Sequence, residues 1–188
     1  LKPLGRYFVW RRDRLLVICA VVAVLVLGVL DGLLMAVAIS VVLMLRQMSA
    51  ADIQALGQMG GGHDYVDLGR HPQAREVPGV LVLRPGEQLF FANVERILGN
   101  ALRLIRHTPE PVHTVILSLE ESSNLDGTSI EALAEFFARV GEEGKHLVLA
   151  RLKHRAKQGL LALPEAERDG VMLSGLSVDD AVQAALKR

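Results

Sequence analysis

Apolar and polar positions divide this chain into two regimes. From Leu15 to Leu45 the residues are apolar almost without interruption, 31 positions with one charge, Asp31. Such a run suits a hydrocarbon core about 30 Å thick, crossed by a helix rising about 1.5 Å per residue. One straight helix of this length would reach about 46 Å and need strong tilt. The alternative is a helical hairpin broken at Asp31-Gly32, because Gly tolerates unusual backbone angles and Asp favours turns. Its halves are Leu15–Leu30 and Leu33–Leu45. Flanking charge favours the hairpin. Lys2, Arg6, Arg11, Arg12 and Arg14 precede the run, Arg46 follows it, and the turn has no Lys or Arg nearby. Basic residues stay on the cytoplasmic side, so both flanks belong there. Tyr7, Phe8 and Trp10 fall where an interfacial aromatic belt would lie.

After Arg46 the pattern turns polar and irregular. Residues 47–76 read as a linker, with Gly60-Gly61-Gly62 and the Arg70-His71-Pro72 break. Within it, Ser49 as N-cap with Asp52 behind it predicts a short interfacial helix over Met48–Leu56. From Val77 a new pattern begins. Val80–Leu83 reads as a strand closed by Arg84-Pro85-Gly86, and Leu89-Phe90-Phe91 as a second one. Phe91, Val94, Ile97, Leu98, Ala101, Leu102 and Ile105 recur at helical spacing, predicting a helix from about Asn93 to before Pro109. Thr114–Leu119 is a continuous apolar strand of the kind buried on both faces. Ile130, Leu133, Ala134, Phe137 and Ala138 mark the next helix, His146–Ala150 the next buried strand, and His154–Leu163 a helix stopped by Pro164. Val171–Leu173 is a short strand. Ser177–Leu186 is a helix capped by Ser177 and Asp180, with Val178, Ala181, Val182 and Ala185 as its apolar face. Strand and helix alternate from Thr114 onward, which predicts an α/β domain with a mostly parallel central sheet flanked by helices.

Composition narrows the function classes. The 188 residues carry no formal net charge, but residues 1–48 hold six Lys and Arg against two Asp, so the remainder is acidic by four charges. An acidic soluble part excludes the basic stripe that a nucleic-acid binder needs. The single cysteine, Cys19, lies in the apolar run and reads as a small buried hydrophobe, and no intrachain disulfide is possible. The apolar region is too long for a secretory signal, and Arg46-Gln47-Met48 is no small-residue cleavage site. The chain starts with Leu, so it is expected to be a piece of a longer protein.

The sharpest soluble motif is the loop Ser122–Ser129, which leaves a buried strand and enters a helix. In open α/β sheets ligands bind at this end, and free N–H groups at a helix start attract anions. Asn124, Asp126, Gly127, Thr128 and Ser129 are the candidates for a regulatory or partner-binding loop. The same residues also suit a purely structural role, Asp126 or Thr128 as cap and Gly127 as turn former. Arg151, Lys153, Arg155 and Lys157, with His154, form a basic cluster on the acidic background. It suits anionic lipid headgroups or an acidic partner protein, or else a solvated helix face. The six histidines show no paired metal spacing, and there is no Gly-rich phosphate loop or nucleophile elbow. Neither a metal, a cofactor nor an enzymatic reaction is therefore expected. Asp31 reads as an interfacial residue of the turn, with a proton-relay role as the alternative.

Here the chain resembles a known family. VILSLEESSNLDGTSIEAL, with RPGEQLFFANVERI before it and GKHLVLARLKHRAKQGL after it, resembles a STAS domain, a module shared by anion transporters and bacterial anti-sigma-factor antagonists. RRDRLL, LGVLDGLLMAVAISVVLMLRQMS and DLGRHPQAREVPGVLVLRPGEQLFFAN resemble the last membrane helices, linker and first STAS strands of a bacterial SulP-type anion permease. The resemblance implies four parts: a basic segment over 1–14, the end of a transporter membrane domain over 15–46, a linker over 47–76 and a cytoplasmic STAS domain over 77–188. It implies secondary-active transport of sulfate, bicarbonate or dicarboxylates coupled to protons or sodium, in the bacterial inner membrane. It also implies homodimers and acyl carrier protein as a possible partner. The family's anion site lies in membrane helices that this stretch does not include, so no substrate-binding residue is assigned. In the antagonist branch a serine directly after the loop aspartate is phosphorylated. Asp126 matches that aspartate, but Gly127 follows it and has no hydroxyl, which puts kinase control there in doubt. The rival reading is a membrane-tethered STAS signalling protein that transports nothing.

Overall fold

A computed structural model of the chain describes residues 18, 22, 28–49, 52–108 and 111–187. The basic segment with Lys2, Arg6, Arg11, Arg12 and Arg14, the aromatic residues Tyr7, Phe8 and Trp10, and Cys19 lie outside them. Two units form, Leu1–Ser49 and Ala50–Arg188.

In the first unit, helix α1 runs over Val29–Ser49. Its 21 residues give a length of about 32 Å, enough for a hydrocarbon core of about 30 Å. The window Val29–Arg46 meets the length and composition of a membrane span, and almost none of it is buried within the protein. The predicted turn at Asp31-Gly32 is corrected. Both residues are helical, and α1 begins directly after Gly28, whose φ of +89° a side chain would oppose. The Gly32 amide donates to the Gly28 carbonyl at 2.9 Å, closing the first helical turn. Asp31 thus lies in the first turn, where a carboxylate meets the positive end of the helix dipole.

In the second unit, six strands make one sheet in the order β2-β1-β3-β4-β5-β6. They are β1 Ile53–Gln58, β2 Tyr65–Asp67, β3 Val80–Pro85, β4 Thr114–Ser118, β5 His146–Ala150 and β6 Val171–Leu173. β1 pairs antiparallel with β2 and β3, while β3 to β6 are parallel. Parallel neighbours need crossovers, supplied by α2 Val94–His107, α3 Gly127–Glu142 and α4 His154–Leu161. A 3₁₀ turn at Glu165–Arg168 precedes β6, and α5 Val178–Leu186 follows it.

Side-chain alternation on the strands builds two cores. Leu83, Val115, Leu117, Leu147 and Leu149 face α2, α3 and α4. Val80, Val82, Ile116, Val148 and Ala150 face α5 through Val178, Ala181 and Val182. β4 is buried at all five positions, as its unbroken apolar run requires.

Four expectations for this unit need correction. The linker expected over 47–76 holds β1 and β2, because the three glycines form a hairpin turn. Gly60 and Gly61 take φ of +58° and +74°, and the Met59 amide donates to the Asp64 carbonyl at 2.9 Å. The helix expected over Met48–Leu56 does not form, since α1 ends at Ser49 and β1 starts at Ile53. Leu89-Phe90-Phe91 is not a strand but an irregular segment entering the turn before α2, with Leu89 buried and Phe91 62% exposed. The inner face of α3 is Leu133, Phe136, Phe137 and Val140, so Ala138 faces solvent.

Candidate functional site

The parallel strands β3, β4 and β5 end at one edge of the sheet, and the helices following them start there. β4 leads through Leu119 into a loop that the protein holds with side-chain hydrogen bonds. The buried Ser122 Oγ accepts the Leu89 amide at 3.0 Å. Gln88 Nε2 donates to the Asn124 carbonyl at 3.3 Å. Asp126 then caps α3, its Oδ1 accepting the Ser129 amide at 2.8 Å. Its Oδ2 accepts the Phe91 amide at 2.8 Å, so one carboxylate ties the starts of two helices together. Burial disfavours that carboxylate, yet the N–H groups of Ser129 and Phe91 outweigh it and hold the carboxyl below its ordinary range.

Asn93 does the corresponding work ahead of α2. Only 1% exposed, it accepts the Phe90 amide through Oδ1 and donates from Nδ2 to the Gln88 carbonyl, each at 2.9 Å. Periodicity marked Asn93 as the helix start but not this buried role, which its position after a Phe-Phe-Ala turn signals only weakly.

The five loop candidates lie together, Asn124 and Asp126 at the end of the β4–α3 connection and Gly127, Thr128 and Ser129 in the first turn of α3. Asn124, Gly127 and Thr128 are exposed, Asp126 is half-buried and Ser129 is buried. A Cβ at Gly127 would meet nothing within 4 Å, and its φ is not positive, so sterics do not require glycine there. Of the basic candidates, Arg151 and Lys153 lie on the neighbouring β5–α4 connection, Arg155 and Lys157 in the first turns of α4. Because Ser118 pairs with Ala150 in parallel register, the two connections are side by side. Glu120 Oε1 and Arg151 Nη1 approach to 3.6 Å between them. Arg151 takes φ +55°, and its amide donates to the Leu176 carbonyl at 2.9 Å. Leu176 itself is 63% exposed.

The edge therefore runs from Phe91 past the Asp126 cap and Arg151 to Leu176, two exposed apolar side chains with basic groups between them. Phe91 continues the apolar period of α2 in sequence, but it precedes the N-cap Asn93 and lies outside the buried stripe. Leu176 carried no signal in the sequence. Among the described residues no group of three or more His, Cys, Asp or Glu is placed to hold a metal.

Residues 71–163 match the STAS domain family. A probable sulfate transporter of Mycobacterium tuberculosis is 31% identical over 178 residues, covering 95% of this chain and 32% of the relative. A probable sulfate transporter of Arabidopsis thaliana is 29% identical over 153 residues, covering 81% of this chain and 24% of the relative. The chain thus spans about a quarter to a third of the curated relatives it matches. Among solved structures, the murine Solute Carrier 26 family member A9 anion transporter shares the fold with a TM-score of 0.85 at 21% identity, over 100% of this chain and 30% of that one. Residues 71–163 thus carry a STAS domain, and the chain is a homologue of probable sulfate transporters that shares the fold of a solved anion transporter.

Proposed function

We propose that this chain is part of a secondary-active anion transporter of the sulfate, bicarbonate or dicarboxylate class, coupled to protons or sodium. It works in the bacterial cytoplasmic membrane, with α1 crossing the lipid and the sheet domain in the cytoplasm. The observation that carries this is the order of parts. An unburied apolar helix leads within four residues into a STAS sheet, and the match to a probable sulfate transporter runs through both, over 95% of the chain. No enzymatic role is assigned. The sheet domain regulates transport through its exposed edge, where Asn124, Thr128, Arg151 and Lys153 accompany Phe91 and Leu176. Basic groups around apolar contacts suit an acidic protein surface, an acyl carrier protein being one such partner, and the transporter works as a homodimer.

The test is anion uptake into proteoliposomes by the full-length gene product, with and without residues 50–188. A cut at residue 77 would leave β1 and β2 without their sheet, so the deletion starts at residue 50. Saturable uptake of sulfate, bicarbonate or a dicarboxylate, altered by the deletion, supports the proposal. No uptake from folded, inserted protein overturns it in favour of a tethered signalling module.

A further inference from the structure

The β1–β2 hairpin shares an apolar cluster with α5 through Leu56 and Tyr65, and an ionic contact joins the two elements. His63 Nδ1, on the turn of the hairpin, lies 2.6 Å from Asp179 Oδ2 in the first turn of α5. The Tyr65 hydroxyl donates to Asp179 Oδ1 at 3.4 Å. The burial of the two partners is unequal. The His63 side chain is 89% exposed, whereas that of Asp179 is 11% exposed. A carboxylate so enclosed depends on its partners, and it faces one titratable cation whose charge changes near neutrality. From α5, Asp179 and Asp180 face His63; from its own hairpin, Asp64 and Tyr65 do.

We propose that His63, Asp179 and Tyr65 form a proton-dependent latch that fastens α5 to the hairpin, tight when His63 is an imidazolium and loosened when it is neutral. The remaining hold on α5 is modest. It is nine residues long and meets the sheet through Val178, Ala181, Val182 and the partly buried Ala185, all small side chains. The hydrogen bonds of the Ser177–Asp180 capping box stay within the helix. The hairpin begins four residues after α1 ends, so the latch joins the segment leaving the apolar helix to the helix covering the far face of the sheet. Release would uncover Leu56, Val80, Val82, Ile116 and Val148.

The direction of the effect follows from linkage. The hydrogen bond from Asp179, then its charge, raises the His63 pKa above its ordinary 6.5. The contribution is therefore complete below that ordinary value and is lost as pH rises through the raised one. Tyr65 does not compete in this window, because burial first and Asp179 second push its phenol up to about 12.

Hydrogen exchange of the full chain in lipid nanodiscs tests the latch, with rates corrected for the intrinsic pH dependence. Protection of the α5 amides should fall at least about threefold between about pH 6 and about pH 9, while β4 stays protected. His63→Gln removes the titration from an exposed site, so it leaves the fold intact; its α5 protection should be low and independent of pH. A His63 proton titration by NMR should lie above 6.5 in the wild type and return towards it in Asp179→Asn. Wild-type protection that does not change with pH overturns the latch, as does an equal fall in His63→Gln or a His63 titration at or below the ordinary value.

Discussion

The carboxylate of Asp126 and the amide of Phe91, 35 residues apart in sequence, are hydrogen-bonded at 2.8 Å. The other oxygen of Asp126 caps α3 through Ser129, so one side chain fixes the spacing of two helix starts. Asp126→Ala removes both bonds at once. Loss of an N-cap costs about 1–2 kcal/mol. The freed Phe91 amide lies at the exposed edge, where water replaces its partner, so the total should stay within that range. Because the folded-state carboxyl is held below its ordinary 3.8, the stabilisation is complete above that value and is lost as pH falls through the lowered one. Urea unfolding of both proteins should therefore show a gap at neutral pH that narrows on acidification. A gap that stays constant into strong acid would mean that the charge of Asp126 does not matter.

Asn93 and Ser122 are the buried counterparts of this tie. Asn93→Ala strands the Phe90 amide and the Gln88 carbonyl, and Ser122→Ala strands the Leu89 amide in a fully buried site. Each substitution should cost about 1–3 kcal/mol, the desolvation cost of an unsatisfied buried polar group. Because both hold the 88–93 turn, the double mutant should lose less than the sum of the singles. A double-mutant cycle by chemical denaturation reads the difference. Strict additivity would show that the two side chains act independently.

How far the sequence revealed this molecule depended on the length and continuity of each signal. The buried strands Thr114–Ser118 and His146–Ala150 and the capping box of α5 were legible, because burial on both faces and paired polar caps leave local marks. The β1–β2 hairpin was not. Ile53–Gln58 carries few large apolar residues and includes Gly57, and its Gly60-Gly61 turn resembles linker composition. Asp31-Gly32 has the composition of a turn, yet among the described residues of the apolar run it is Gly28 that takes a left-handed backbone angle. The loop candidates were found together, since adjacent residues stay adjacent. The adjacency of Arg151 to that loop, Asn93 as a buried staple and the His63–Asp179 contact depend on strand order and on 116 residues of separation, which no local pattern encodes.

Two glycines in the sheet domain should respond in opposite ways to a methyl group. At Gly57 an added Cβ would stand 2.9 Å from the Arg75 carbonyl oxygen and 2.5 Å from Leu68 Cδ2. The carbonyl belongs to a segment paired with Gln58 through two backbone hydrogen bonds and cannot withdraw, so Gly57→Ala should cost about 1–3 kcal/mol. At Gly159, within α4, the near atom is Ile130 Cδ1 at 2.8 Å, the mobile end of a half-buried side chain. Ile130 can rotate away, and alanine gains about 1 kcal/mol of helix propensity, so Gly159→Ala should be close to neutral. Thermal unfolding of the two variants separates them. A larger loss at Gly159 than at Gly57 would contradict this reading of the two environments.

Arg151 offers a way to remove charge from the sheet edge without unfolding it. Its φ of +55° lies in the left-handed region, which costs an L-residue about 1–2 kcal/mol. Glycine at this position relieves that strain but adds about 0.5–1 kcal/mol of backbone entropy cost. The pair with Glu120 is long at 3.6 Å and about half-exposed. Solvent screening therefore limits its contribution to about 0–1 kcal/mol. These terms nearly cancel, so Arg151→Gly should leave stability within about 1 kcal/mol of the wild type. Lys153→Ala, at an exposed position, should likewise be almost silent in unfolding. Combined, the two substitutions take two positive charges from the surface proposed to regulate transport. Uptake by the full-length protein should then shift towards that of the 50–188 deletion while the melting temperature stays in place. Unchanged uptake with intact folding would remove this edge from the regulatory surface, and a large loss of stability would show that Arg151 is structural.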